Sequence, residues 1–173
     1  MPRQLLRDGR IVADDWTYLT EAAGADAGKA GATGSADSSN AIILTFDQWR
    51  ADEPRWRAAP ERLGVILSPV DKVERLAPDL ARFDLLGAEF PGPSDGRGYT
   101  QGRLLRERYG WRGELRATGY VRRDQVFFLA RCGFNSFELP DSDLDAAAGA
   151  FSTFTARYQP ANDLGLGLTL QHR

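Results

Sequence analysis

The sequence contains one cysteine, Cys132, and one histidine, His172. A lone thiol excludes an internal disulfide, an iron–sulfur cluster and a Cys-rich zinc site. It fits a reducing compartment. With His172 next to the last residue, a His-based triad, a His-ligated haem or a His-rich metal site would have only a terminal side chain to draw on. No apolar run approaches the roughly 20 residues that cross a bilayer, and the opening MPRQLLRDGR has no apolar signal core. The expectation is therefore a cytoplasmic protein. A net charge of −2 gives no push toward nucleic acid or an acidic membrane. No residue set can carry electrons, so neither a cofactor nor a metal is expected, and a redox role would require a borrowed cofactor or a partner enzyme.

What is present fits a globular chain of one domain, at 173 residues, 42% hydrophobic and 27% charged. Residues 4–20 read as a hairpin, with two apolar runs around Asp8-Gly9, a pair suited to a type I′ turn. They form an N-terminal appendage, residues 1–20. Residues 21–40 are small and polar and read as a flexible linker, and residues 41–173 form the α/β domain. Short apolar runs recur at Ala41–Phe46, Leu63–Leu67, Leu85–Phe90, Glu114–Thr118 and Ser136–Leu139. Segments of helical spacing lie between them: Val73/Leu76/Leu80/Phe83, Leu104/Leu105/Arg108/Tyr109 and Val126/Phe127/Leu129/Ala130. Gly110 and Gly133 sit where left-handed caps belong, and Pro78 breaks or restarts its helix. The order is about five βα units, which predicts a mainly parallel sheet. Two closures fit: an open three-layer sheet or a partial TIM-like barrel.

Charge is unevenly spread. Nine arginines lie between Gly96 and Arg131 against Glu107, Glu114 and Asp124, a net of +6, which leaves −8 for the rest. A basic island in an acidic chain points to a local anion site. In parallel α/β folds ligands bind beyond the carboxyl ends of the strands. That rule selects Asp47, Ser68, Glu89, Thr118 and Glu138. The loop after the third of these strands is the richest, running from Glu89 through Asp95-Gly96-Arg97-Gly98-Tyr99-Thr100. With Thr100 capping the helix of Arg103 and Arg106, it reads either as an oxyanion cradle or as a capped helix with a solvated Arg face. A second patch holds Arg116 and Thr118 on one face of a strand, followed by Arg122-Arg123-Asp124-Gln125. The candidate acid/base residues are Glu89, Asp95 and Asp124. The candidate anion-binding residues are Arg97, Gly98, Tyr99, Arg103, Arg116, Thr118 and Arg123. Cys132, at the end of an apolar helix, reads as an inert thiol, and Gly165-Leu166-Gly167 as chance.

The stretch DGRGYTQGRLLRERYGWRGELRATGYVRRDQVFFLARCGF (Asp95–Phe134) resembles an uncharacterised bacterial family, a domain of unknown function described loosely as an oxidoreductase. Its genes commonly lie beside assimilatory sulfite reductase. The likeness extends through GVILSP, LLGAEFP and the opening hairpin. Matching positions are Asp95, Gly96, Arg97, Gly98, Tyr99, Arg103, Leu104, Leu105, Arg106, Arg116, Gly119, Asp124, Gln125, Arg131 and Gly133. Gly102 departs from the pattern, standing for a helix former such as Ala at a cost of about 1 kcal/mol. Tyr120 departs too, standing where a polar residue is usual. The resemblance implies a role in sulfate assimilation at the sulfite-to-sulfide step, with sulfite reductase as partner and a small anion (sulfite, sulfate or phosphate-like) as ligand. Two other readings are a stand-alone enzyme acting on a small phosphorylated or sulfonated metabolite, and a ligand-free interaction module with an exposed patch at Trp49, Trp56 or Trp111.

Overall fold

The structure, a computed structural model, describes residues 3–19 and 41–153. The segment read as a linker and the chain beyond Thr153 lie outside the described residues. Among those described are eight strands: β1 (Gln4–Arg7), β2 (Arg10–Ala13), β3 (Thr17–Tyr18), β4 (Ala41–Thr45), β5 (Arg62–Leu67), β6 (Leu85–Phe90), β7 (Glu114–Gly119) and β8 (Ser136–Phe137). They form one sheet in the order β2-β1-β8-β7-β6-β5-β4-β3. From β3 to β8 every pairing is parallel, with chain neighbours adjacent in space.

That order decides between the two expected closures. Crossovers of one hand between sequential neighbours all fall on one side of a sheet, so a layer on each face is not built. The chain's own connections show how far the sheet curls. Laid flat, β2 and β3 would stand seven spacings apart, roughly 33 Å at about 4.8 Å each. Yet Ala13 ends β2 and Thr17 begins β3, and four residues reach at most about 14 Å. The sheet is a curled half-barrel, the partial-barrel alternative.

All five expected strands are present, within two residues of their expected ends. The helices differ more. Thr45 and Gln48 cap α1 (Phe46–Ala51) reciprocally, and Asp52 caps α2 (Glu53–Ala58). The Val73–Phe83 spacing forms two 3₁₀ stretches, Val73–Arg75 and Ala77–Arg82, with Pro78 in the first turn of the second. Helix α3 (Arg97–Arg103) begins three residues before the expected cap, so Thr100 lies inside it. It runs on into a π-turn, Leu104–Arg108. Helix α4 (Val126–Arg131) ends on Gly133 at φ 102°, where Phe134 N–H donates to Leu129 O at 3.1 Å, a Schellman closure. Helix α5 (Asp141–Thr153) was not expected. Pro140 ahead of it, and Asp141 and Asp143 in its first turn, are its start signals.

The main core lies between the sheet and the helices. Leu63, Val65, Leu67, Leu86, Ala88, Phe90, Leu115 and Ala117 pack there with Trp49, Leu105 and Leu129. Trp49, Trp56 and Trp111 are all buried, so the apolar patch expected at them is absent. Phe128 and Tyr120 are the exposed large aromatics among the described residues. The helix lacking an Ala at 102 also has a packing reason, because a Cβ on Gly102 would stand 2.4 Å from the Phe134 ring.

Alternate residues line the concave face. Ala41, Ile43, Ile66 and Leu85 form a second cluster there around Trp16. The turn Asp8-Gly9 has φ of 50° and 76°, as a type I′ turn needs. The hairpin it makes, Gln4–Ala13, is continuous with the sheet through β1 and β8. The chain then leaves the hairpin. Asp14-Asp15-Trp16 cross the opening as a strap, and Thr17–Tyr18 pair with β4 at the far edge.

Candidate functional site

Glu114, Arg116 and Thr118 alternate onto the concave face of β7, while Leu115 and Ala117 go to the core. Arg116 and Ser136 are register partners on β7 and β8, as are Glu89 and Thr118 on β6 and β7. The concave face thus gathers polar groups at its β7–β8 side and apolar ones at its β4–β6 side.

Arg116 is fully buried and sits at the centre of an ion network. Its Nη1 and Nη2 donate to Asp14 Oδ2 and Oδ1, both at 3.0 Å. Its Nε and Nη2 donate to Glu114 Oε1 at 3.1 and 2.8 Å, and Nη1 reaches Glu138 Oε1 at 3.4 Å. Arg7 pairs with the other Glu114 oxygen at 3.2 Å, and Arg3 with Glu138 Oε2 at 2.5 Å. The Tyr18 hydroxyl donates to Glu138 Oε1. Three arginines thus meet three carboxylates. Burial opposes the Arg116 charge, but Glu114 and Asp14 outweigh it and hold the guanidinium above its ordinary pKa. Burial, then the Glu138 charge and hydrogen bond, push the Tyr18 phenol well above its ordinary range.

Beside this network, at the carboxyl ends of β7 and β8, is a cleft of about 500 Å³. Arg3, Tyr18, Thr118, Gly119, Tyr120, Val121, Arg122, Glu138, Leu139 and Pro140 line it. Gly119 turns the chain out of β7 into the rim at φ 84°, where a Cβ would stand 2.5 Å from Phe90 O. Arg3 and Arg122 are each about half exposed. The lining residues sum to one net positive charge, two arginines against Glu138, with Arg3 paired to Glu138 and Arg122 Nε 3.7 Å from Asp143 at the start of α5.

The sequence-predicted residues divide. Arg116 and Thr118 share the concave face, and Thr118 lines the cleft. Glu89 is exposed at the end of β6 on the same face. The others belong elsewhere. Asp95 binds Arg97 through side-chain bonds of 2.6 and 3.0 Å and accepts the Arg97 N–H, which starts α3. The Arg97 guanidinium holds the Asp95 carboxyl below its usual range. Gly98 faces the Phe90 ring, 2.6 Å from where its Cβ would be, so packing accounts for this glycine. Tyr99 stacks edge-on against Phe90 at 5.2 Å. Arg103 pairs with Glu107 on an exposed helical face. Arg123 and Asp124 are exposed ahead of α4. The loop expected to be richest is therefore a helix start with a solvated Arg face.

Arg106 is a further buried arginine with a structural use. It donates to Gly133 O and Trp111 O at 2.9 and 2.8 Å, and lies over the Trp111 ring. Burial, with Arg112 nearby, pushes it down to about 10. Sequence reasoning marked Glu138 as a strand end but did not join it to Arg3, Asp14 and Tyr18. Local pattern carries no signal for contacts more than 100 residues apart in the chain. The residues around Asp8-Gly9 were read as one hairpin, whereas Tyr18 sits on the opposite edge of the sheet.

A family model described as a bacterial protein of unknown function (DUF934) matches residues 64–166. The match spans β5 to α5 and the cleft residues Thr118–Pro140, and starts after Arg3, Asp14 and Tyr18. No curated protein matches the chain. Among the described residues no helix is long and apolar enough to cross a membrane.

Proposed function

The chain belongs to this bacterial family of unknown function, and on that premise we propose that it is an accessory protein of sulfite reductase in assimilatory sulfate reduction. It would engage the enzyme, or an anionic intermediate of the sulfite-to-sulfide step, at the mouth of the half-barrel. The pathway rests on the resemblance of Asp95–Phe134 to a family encoded beside that enzyme. The site rests on one observation, the net-positive cleft in which half-exposed Arg3 and Arg122 stand by Thr118 and Tyr18. Arginine forks suit oxyanions.

The test is genetic. A strain lacking the gene, and any close paralogue, is expected to grow on cysteine and to grow poorly on sulfate. Complementation by the wild-type gene restores growth, and an Arg3→Ala/Arg122→Ala double variant does not. Normal growth of the deletion strain on sulfate would remove the pathway reading.

A specific observation favours a second reading, an enzyme acting on a small phosphorylated or sulfonated metabolite. Tyr18 and Glu138 form a hydrogen-bonded pair in the cleft wall, a geometry suited to acid/base work. Glu138, rather than Glu89 or Asp95, then holds the carboxylate role. Turnover of such a metabolite that Glu138→Gln abolishes would favour this reading over the first.

A further inference from the structure

Arg116 offers two edges of its guanidinium, and they are occupied differently. One edge is held by Glu114, two residues away on the same strand. The other meets Asp14, 102 residues away, through two parallel bonds of 3.0 Å. That fork-to-fork geometry is how guanidinium recognises carboxylates and tetrahedral oxyanions. Glu114 is part of β7 and cannot leave without the strand. Asp14 sits on the three-residue strap.

We propose that the Asp14 carboxylate is an internal stand-in for a small oxyanion ligand, which binds by displacing the strap and taking Asp14's place on Arg116. This rests on the anion-binding half of the reading above and not on the partner. Four features support it. The strap is three residues long and its backbone ties are few: Asp14 N–H donates to Arg3 O, Leu19 N–H to Ile43 O, and β3 is two residues long; its other ties are side chains, the exposed Asp15–Arg62 pair at 3.0 Å and the buried Trp16. The docked strap leaves the buried Trp16 Nε1 without an acceptor among the described residues. So is the hydroxyl of Ser136, completely buried and in register with Arg116 on the adjacent strand. A tetrahedral oxyanion on the fork carries oxygens that a carboxylate lacks, and one of them can accept from Ser136. Lastly, Arg116 Nη1 reaches Glu138, which lines the cleft, so the fork lies one side chain behind the cleft wall.

Charge gives the same direction. Asp14, Glu114 and Glu138 balance Arg3, Arg7 and Arg116 when the strap is docked. Undocking leaves the network as a whole with one positive charge in excess, shared between the buried Arg116 and the part-exposed Arg3 and Arg7, and an anion neutralises it. The ligand class is a small oxyanion, either inorganic or a carboxylate, and the test separates these two.

Asp14→Ala and the isosteric Asp14→Asn are compared with wild type and with an Asp14→Ala/Arg116→Lys double variant, which keeps the charge but loses the fork. Thermal unfolding is read in sodium sulfite, sodium sulfate or sodium acetate, each against sodium chloride at equal ionic strength. Sulfate stabilises most proteins by exclusion from their surfaces, so the readout is the gain over wild type. Asp14→Ala is expected to melt lower and to recover about 3–6 °C more than wild type gains in the same salt. The double variant should show no such excess. Recovery in sulfite and sulfate assigns an inorganic oxyanion, and recovery in acetate alone assigns a carboxylate. If Asp14→Ala does not fold, Asp14→Asn takes its place.

In parallel, sulfite and acetate are titrated into the wild-type protein while tryptophan emission is followed. A saturable change is expected that Trp16→Phe removes, with Kd lower by about tenfold or more in Asp14→Asn because competition by the carboxylate is gone. Equal salt gains in all variants, or binding without a Trp16 signal, overturn the proposal. A growth phenotype bears on the pathway and leaves this result standing.

Discussion

Two regions of this molecule are rich in arginine, and they use it in opposite ways. Along Asp95–Arg108 the arginines crowd the sequence but separate in space. Arg97 turns back to Asp95, Arg103 to Glu107, and Arg108 reaches Glu74 at 4.0 Å, these three exposed, while Arg106 turns inward to Gly133 O and Trp111 O. At the mouth of the half-barrel the arginines are scattered in sequence and converge in space. Arg3 and Arg7 stand at the two ends of the first strand and Arg116 lies more than 100 residues later, yet they share three carboxylates. Density along the chain measures local charge. Convergence depends on which strands the sheet makes neighbours, and only convergence builds a site.

The largest test of this contrast is Arg116→Ala. It strands Asp14 as a buried carboxylate and leaves Glu114 with Arg7 alone, and stability should fall by about 3–5 kcal/mol in denaturant unfolding. A loss under 1 kcal/mol would mean the network is far wetter than its burial indicates. Gly102→Ala asks what the arginine-dense helix is for. Helix propensity alone favours alanine by about 1 kcal/mol, yet overpacking against Phe134 should cost about 1–3 kcal/mol. A stabilised variant would show that the helix does not press on that ring.

Tyr18 sharpens the comparison by pH. Its folded pKa is raised, so its contribution to stability is complete below the unfolded value near pH 10 and is withdrawn as pH climbs from there toward the folded value. Phenolate absorbance should show one tyrosine ionising late, and Glu138→Gln should move it earlier. If Glu138→Gln leaves that titration unchanged, burial alone sets it. The smallest effect belongs to Arg103→Ala, a change within about 0.5 kcal/mol. A larger loss would mark the exposed face as more than solvated charge.

The recurrence of apolar runs made five of the six parallel strands legible, and β4, β5 and β6, apolar on both faces, read as near-continuous blocks. Gly110 and Gly133 marked helix ends through their positive φ, and Asp8-Gly9 marked the turn. These are local signals, and local physics produced the features. Helix α3 was misplaced by three residues because Thr100 is a good cap by type. The Asp95 side chain, bonded to the Arg97 N–H, does that job instead. Of the site, Arg116 and Thr118 were readable as one face of a strand, and Glu138 as a strand end. Arg3, Asp14 and Tyr18 were not, since a two-residue strand leaves no period and the strap's contacts lie across the barrel.

The pairing of β1 with β8 has a consequence in time. The first strand of the chain waits for the last strand of the sheet, so its hydrogen bonds are among the most non-local in the fold and close late. At ribosomal speeds of about 5–20 residues per second, the hairpin and strap stand exposed for on the order of ten seconds before Glu138 emerges. Until then Leu5 and Leu6 have no core to enter. The segment that locks the mouth is therefore also the one that newborn chains must keep from pairing with each other.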